Sequence, residues 1–542
     1  GVARRFRVEK CPCKVNLCSL VLREHYGEIV DKIGSFLLKN GSSPLKVIVQ
    51  EAQLKFDQVK KGLCTLIQQN IVEFEWNPKG FVEYSIEASH ILFRLQFPKW
   101  IYFAKTLYDD AGELLVEELL EHGQMRMSDL IHKVTNRLNE ATEGVSQVQT
   151  MFVRDKFVQL VQTQFFKRCP VVEDPETMGD VPNLSVTEAD LFRVPEMTGE
   201  ALRSRKRRIS SDEEEEDAEP KAKRKKLDPN LKESKGDLGI YWCLNFDRFN
   251  RYARDQLIVN GIGSKVNMNA AEIVRTMLRI SEVKSSTEAV VTTPMSNSEI
   301  FKAVPEKCGI SRQAFDQYLK ILCGDATSFI LKTDESGGGM YAVDLKKALT
   351  ALCQSHLESV VQERFGSKCC RIYRLLLMKK HLEQKQIEES AMIPGKEAKE
   401  MLYRMFGEHF ITVTEIPRTP EHVPSRTFYV FSVNLDQVAR MVLQRSYKAM
   451  TNLIIRREHE LQQHKRLLDK QERVEAIIAS LEASGADEAQ KEEIRETITP
   501  PEKAQLAKVK HITDKLEQSE IQLEETLFVL NLYLNYSSGS NT

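Results

Sequence analysis

The segment IVEFEWNPKGFVEYSIE, residues 71–87, alternates apolar and polar residues on both sides of a turn. Val72, Phe74 and Trp76 alternate with Glu73, Glu75 and Asn77, and Val82, Tyr84 and Ile86 alternate on the return. A period of two around Asn77-Pro78-Lys79-Gly80 predicts a β-hairpin. Upstream the period is helical. Leu20, Glu24, Gly27, Val30, Ile33 and Leu37 form a stripe expected to be one helix that stops at Asn40-Gly41. Ser43, with Pro44 after it, is expected to cap a short second helix, and Asp57 a third whose apolar face is Val59, Leu63, Leu66 and Ile67. Three helices followed by a two-stranded wing make a winged-helix unit, and the remaining chain repeats that pattern.

The 542 residues suffice for several domains, and a 42% hydrophobic content allows ordinary cores. The net charge of -1 supplies no global attraction for nucleic acid, so any such binding must come from local patches. No apolar run approaches the roughly 20 residues of a membrane span. The start, Gly1-Val-Ala-Arg-Arg-Phe-Arg, lacks the apolar core of a secretory signal. The 11 cysteines are scattered. Cys11, Cys13 and Cys18 form a tight cluster, and Cys369-Cys370 are adjacent, but neither has the paired spacing of a zinc site. Reduced structural cysteines of an intracellular protein are the expectation.

In chain order, residues 1–16 read as a flexible lead-in and 17–90 as the first winged helix. Residues 91–172 read as a second, with helices at Ala111 to His122, at Asp129 to Leu138 behind Ser128, and at Val145 to Phe165. Its wing is indistinct, with only Phe165-Phe-Lys-Arg-Cys-Pro170 in its place. Residues 173–238 are rich in Pro, Glu, Ser and Lys and are expected to be a disordered linker. It carries the basic clusters Arg205, Lys206, Arg207, Arg208 and Lys223, Arg224, Lys225, Lys226, the pattern of a bipartite nuclear import signal. Ser210 and Ser211 precede the acidic run Asp212 to Asp217, a setting that suits acidophilic kinases. Residues 239–350 and 351–435 read as winged helices three and four. Asn269 is expected to cap one helix and Ser296 to open a capping box with Glu299. Gly337-Gly338-Gly339 lacks the Lys-Ser/Thr of a phosphate loop and reads as a wing turn. Residues 436–542 differ. Ile454, Leu461 and Leu468, then Leu467, Val474 and Leu481, and Val509, Leu516, Leu523 and Leu530 recur every seven residues. Breakers at Ser484-Gly485 and Pro500-Pro501 fold these seams into an antiparallel helical hairpin. The fold class is therefore mainly α with small β-hairpins: four tandem extended winged helices and a C-terminal antiparallel coiled coil.

Catalytic signatures are missing: no phosphate-loop, zinc-protease, nucleophile-elbow or dinucleotide motif occurs. Glu117-Glu118 and Glu388-Glu389 are helical neighbours that do not face each other. The chemistry left is nucleic-acid contact, in which a third helix enters the major groove and the wing reaches phosphate. Candidates are Lys60, Lys61, Gln68 and Lys79 in the first unit, and Lys379, Lys380, Lys385, Lys396, Lys399 and Arg404 in the fourth. These lysines and arginines suit salt-dependent phosphate binding with little base reading. A solvated helix face is the competing reading, since Glu397 and Glu400 interleave with the last group.

Several phrases carry a resemblance. They are AEIVRTMLR at 271–279, ESVVQERFG at 358–366, AMIP at 391–394 with KEAK at 396–399, PSRTF at 424–428 and RVEAIIAS at 473–480. They closely resemble the winged-helix subunit of RNA polymerase III, its third subunit and the largest member of the polymerase III-specific heterotrimer. The likeness runs from Leu17 to Tyr536; residues 1–15 do not look like the family's start, as expected of an alternative or a mispredicted N-terminus. The resemblance implies winged helices related to the large subunit of initiation factor IIE and a non-catalytic, nuclear role. It implies docking with the two other heterotrimer subunits near the polymerase clamp. It also implies contact with initiation factor IIIB and with promoter DNA, single-stranded near the bubble, and help in promoter opening. The polymerase's transcription of foreign AT-rich DNA further implies a link to innate immunity and antiviral defence. No cofactor is expected, because the catalytic magnesium is held by other subunits. A pure scaffold without DNA contact is the alternative.

Overall fold

A computed structural model describes residues 11–77, 80–141, 149–170, 188–195, 237, 239–282, 289–305, 308–324, 329–335, 339–417, 427–483 and 488–538. The described residues divide into two compact units, those within 18–252 in one and those within 11–17 and 253–538 in the other.

The first unit contains two winged helices. Helix α1 (Pro12–Tyr26) begins inside the expected lead-in. The stripe expected to be one helix is broken at Gly27 (φ +83°, ψ 177°), and α2 (Glu28–Asn40) follows. Strand β1 (Ser43–Pro44) replaces the expected Ser43 cap, because Pro44 and Ser43 pair with the wing. Helices α3 (Leu45–Ala52) and α4 (Phe56–Gln68) come next, α4 being capped at Lys55 rather than Asp57. Strands β2 (Val72–Asn77) and β3 (Phe81–Ile86) form the predicted wing, Phe74 opposite Tyr84.

The second module runs through α5 (Ala88–Leu92), α6 (Phe97–His122), β4 (Met125–Arg126), α7 (Met127–Ala141), α8 (Thr150–Gln162) and β5 (Phe166–Arg168). A short α9 (Glu188–Leu191) follows. Strand β6 (Tyr241–Leu244), expected to open the third module, instead pairs antiparallel with β5, Lys167 opposite Cys243. The second wing is thus closed by a strand beyond the charged linker. It brings Trp242 into a core with Phe157, Phe166 and Leu244, the Trp242 and Phe157 rings 5.3 Å apart edge to face. Asp237, inside the stretch expected to be disordered linker, is instead buried and accepts a hydrogen bond from the Ser128 N–H at 2.8 Å at the start of α7.

Helix α10 (Phe246–Lys265) contributes Phe249 to the first unit's core and Ile258, Val259 and Ile262 to a core of the second unit. The second unit continues with α11 (Met268–Glu282), β7 (Met295–Ser296), α12 (Asn297–Ala303) and α13 (Arg312–Gly324), then β8 (Ile330–Asp334) and β9 (Met340–Val343). The cap of α11 is Asn267, whose Oδ1 takes the Ala270 N–H at 2.8 Å, not Asn269. Ser296 caps α12 as expected through the Glu299 N–H. Gly337 and Gly338 lie outside the described residues. The fourth module is built from α14 (Leu345–Phe365), α15 (Ser367–Lys379), β10 (His381–Glu383), α16 (Gln384–Ala391), α17 (Gly395–Gly407), β11 (Thr412–Pro417) and β12 (Thr427–Ser432). The tail is α18 (Leu435–Gln463), α19 (Lys465–Ala483), α20 (Glu488–Glu496) and α21 (Pro500–Ser538).

Among the described residues all four sheets have the same order, the first strand beside the third and the third beside the second. Two backbone devices repeat with it. Where a long helix turns into the next, Gly27, Asp109 and Gly366 share one conformation, with φ +83°, +64° and +90° and ψ near 180°. Glycine alone visits this region without strain, so Asp109 holds it at a cost. Two residues past the third helix, Asn70, Gln164 and His409 adopt φ +56°, +64° and +64°. The next N–H then bonds back to the helix: Ile71 to Leu66 O at 2.9 Å, Phe165 to Leu160 O at 2.9 Å, Phe410 to Met405 O at 3.0 Å. This is the Schellman closure, and its buried apolar residue (Ile71, Phe165 or Phe410) starts each wing.

The tail is the predicted antiparallel hairpin. Tyr447 donates to Asn531 (3.0 Å), Arg457 pairs with Glu520 (2.9 Å) and Lys470 with Glu502 (2.8 Å), partners running in opposite order along the two arms. It is not a detached arm. Val438, Ala439, Val442, Leu530 and Tyr533 share one core with Cys353, Leu357, Val361, Tyr373 and Leu402 of the fourth module.

Asp109→Gly is expected to raise stability by about 1 kcal/mol, because it removes strain and gives up only an ion pair to Lys156 whose carboxylate is exposed. Gly366→Ala, in the same backbone conformation, is expected to lower it by about 1–3 kcal/mol; thermal unfolding of both variants reads the opposite signs.

Candidate nucleic-acid interface

The third helices α4, α8, α13 and α17 each have 13 residues, so equal counts from the start mark equal positions. The second, fifth, sixth and ninth residues share one face at helical spacing. In α4 they are Asp57, Lys60, Lys61 and Cys64; in α8, Met151, Arg154, Asp155 and Val158. In α13 they are Gln313, Asp316, Gln317 and Lys320; in α17, Lys396, Lys399, Glu400 and Tyr403. The opposite faces are core, as with Val59, Leu63 and Leu66 in α4 and Ala398, Leu402 and Met405 in α17. Only α4 and α17 therefore present an excess of positive charge at these positions.

Lys60 and Lys61 are exposed, and among the described residues neither side chain makes an ion pair. Gln68, expected on the same surface, is committed elsewhere: its Nε2 donates to His122 O at 3.1 Å, while Gln69 donates to Glu121 O at 2.8 Å. The end of α4 is thus docked on the second module. Lys79 lies outside the described residues, as do Arg205, Lys206, Arg207, Arg208, Ser210, Ser211, Lys223, Arg224, Lys225 and Lys226.

In the fourth module the expected patch falls into two parts. Lys396 and Lys399 are exposed on α17, and Lys385 on α16. Lys379 ends α15, and Lys380 (φ +67°) makes the turn into β10, so these two sit on a different element from the α17 lysines. Glu397 is occupied by Lys368 at 2.6 Å, which leaves Lys396 and Lys399 unpaired among the described residues. Glu408 is held by Arg364 and by Arg445 at 3.3 Å. Arg404 spreads its guanidinium 5.5 Å from the Phe365 ring, an anchoring contact that leaves it exposed.

One acidic group has a different character. Glu118, buried in α6, is gripped by Lys133 and Arg137 from α7, each at 2.7 Å. Burial alone would raise its carboxyl, but the hydrogen bonds from Lys133 and Arg137 hold it below the usual carboxylate range. Glu121 and His122 lie close enough to form a metal-like cluster with it. Lys133 already bridges Glu118 and His122, at 2.7 and 3.2 Å, so a divalent ion would have to displace two resident cations. The cluster is a structural clasp between α6 and α7.

The fold and the exposed lysines define a class: a multi-module winged-helix protein with a helical hairpin rooted in its last module. Four family descriptions match in turn. They are the RNA polymerase III subunit RPC82 helix-turn-helix domain at residues 16–76, RNA polymerase III subunit RPC82 at 155–352, the POLR3C C-terminal winged-helix domain at 357–433, and the RPC3 helical hairpin domain at 466–529. The chain is 49% identical to DNA-directed RNA polymerase III subunit RPC3 of Homo sapiens over 526 residues, covering 96% of this chain and 98% of that protein. It is 50% identical to the Bos taurus RPC3 over the same span and coverage, and 44% identical to that of Danio rerio over 542 residues, covering 97% and 99%. The chain belongs to the RPC3 family of RNA polymerase III subunits.

Glu118→Gln should remove an acid-sensitive component of stability. With its pKa lowered on folding, Glu118 stabilises the native state above the unfolded glutamate range, and that contribution fades as pH falls through the folded value. The substitution is expected to cost about 1–3 kcal/mol at pH 7 and to flatten the pH dependence below about pH 4.5, read by urea titration at several pH values. For nucleic acid, Lys396→Ala and Lys399→Ala should each lower the slope of log affinity against log salt by about 0.7–0.9 for single- and double-stranded DNA respectively, read by fluorescence anisotropy across a salt series.

Proposed function

We propose that this chain is a non-catalytic subunit of nuclear RNA polymerase III that works in transcription initiation. It docks near the clamp with the two other members of the polymerase III-specific heterotrimer. There it contacts initiation factor IIIB and promoter DNA, and it assists promoter opening. The observation that carries the DNA part is the pair Lys396 and Lys399, exposed and unpaired on the third helix of a winged helix. The α4 pair Lys60 and Lys61 offers a second contact of the same kind. Lysines so placed bind phosphate without reading sequence, which suits a subunit serving many promoters. The clusters at 205–208 and 223–226 serve nuclear import, and Ser210 and Ser211 are phosphorylation sites beside them.

A scaffold role for the second module stands beside this reading. Helix α8 presents exposed Met151, Phe152 and Asp155, and Arg154, at the position of Lys60 and Lys399, is half-buried and offset by Asp155, a surface suited to protein rather than phosphate.

The charge-reversed chain, with Lys379, Lys380, Lys396 and Lys399 all changed to Glu, tests the assignment when assembled into polymerase III. DNA binding is expected to fall at least tenfold and permanganate-detected open complex to drop with it, subunit assembly being unchanged. Normal DNA binding and normal open complex would reduce the module to a scaffold.

A further inference from the structure

The ninth residue of the third helix differs in chemistry from module to module: Cys64, Val158, Lys320 and Tyr403. Tyr403 is 54% exposed. It lies one and two turns along the same face from Lys399 and Lys396, both unpaired among the described residues. Phe406, 42% exposed, continues the flank of this strip. An aromatic ring left in water beside two cations has no role in the core, which α17 builds from Ala398, Leu402 and Met405. Glu400 adds a second constraint. It is exposed at the sixth position, where α4 carries Lys61. A helix seated in a duplex groove has phosphates on both sides, so a carboxylate at its centre offsets part of the lysines' attraction unless it meets a cytosine amino group. A strand passing along one edge of the helix, over Lys396, Lys399 and Tyr403, avoids it.

We infer that Tyr403 is a base-stacking platform that makes α17 prefer an unpaired nucleic-acid strand to a duplex. The inference rests on the DNA reading proposed above and adds the side chain that sets the strand preference. The lysines hold the phosphodiester backbone while the ring takes the face of a base, and that face is available only when the base is unstacked. In the intact duplex both faces of each base are covered by neighbours, so the ring contributes nothing.

The full-length chain is tested by fluorescence anisotropy against a single-stranded oligothymidine and a mixed-sequence duplex of equal length. Tyr403→Ala and Tyr403→Leu are each expected to weaken single-strand binding about tenfold and to leave duplex binding within about twofold. Tyr403→Phe keeps the flat ring and should retain wild-type binding. Leucine binding as well as tyrosine would overturn stacking in favour of plain apolar contact. An unchanged ratio of single-strand to duplex affinity in Tyr403→Ala would overturn the platform altogether, as would normal DNA binding with loss of polymerase association. The paired reversal Lys396→Glu, Lys399→Glu separates the two levels. If it weakens binding while the Tyr403 variants do not, only the platform fails; if it too has no effect, the DNA reading of α17 fails.

Discussion

The second unit depends on one shared burial. Helix α14 runs for 21 residues and gives its start, Leu345 and Ala348, to the third module's core and its end, Leu357 and Val361, to the fourth's. Against the fourth-module end lie the two tail helices, through Val438, Val442, Leu530 and Tyr533. A winged helix is small and buries a limited fraction of its own surface. Closing its outer face with the tail enlarges the core and makes the hairpin rigid at its root. Cys353 illustrates the dryness of that root: burial pushes its thiol up to about 12. The free ends of the hairpin, by contrast, are held by exposed pairs such as Lys470–Glu502, which contribute little beyond register.

Around this arrangement the modules are alike in backbone and unlike in surface. The joint at Gly27, Asp109 and Gly366 and the closure at Asn70, Gln164 and His409 return the chain through the same path each time. They fix which side of the third helix is core and which is solvent. What the solvent side carries is then free to differ, because no packing constrains it. Lysines at α4 and α17, a methionine with an arginine and an aspartate at α8 and a mixture at α13 follow from that freedom. Repetition of the scaffold with divergence of the exposed face leaves each module free to present a different chemistry to its surroundings.

The first hairpin, the Ser296 cap, the third helices and the seven-residue seams of the tail were all legible in the sequence, since each rests on contacts between residues close in the chain. The misplaced features rest either on partners distant in the chain or on single backbone angles and cap positions that periodicity does not resolve. Tyr241–Leu244 completes the second wing from beyond the linker, and no local signal marks a strand whose partner lies at Phe166–Arg168. The apolar stripe through Gly27 read as one helix because periodicity does not register a single reversed φ. Ser43 read as a cap because a two-residue strand has no period of its own.

The sequence by itself determined the module type, the number of repeats, the hairpin tail and which lysines were candidates, because side-chain period and turn chemistry are local. The tertiary structure decided which of the polar side chains stay available. Glu397 is taken by Lys368, Gln68 by a carbonyl of the second module, and Arg404 is laid near Phe365, while Lys396, Lys399 and Tyr403 are left facing water. Pairing depends on which elements meet in space, and a charge's partner is set by distances that spacing along the chain does not encode.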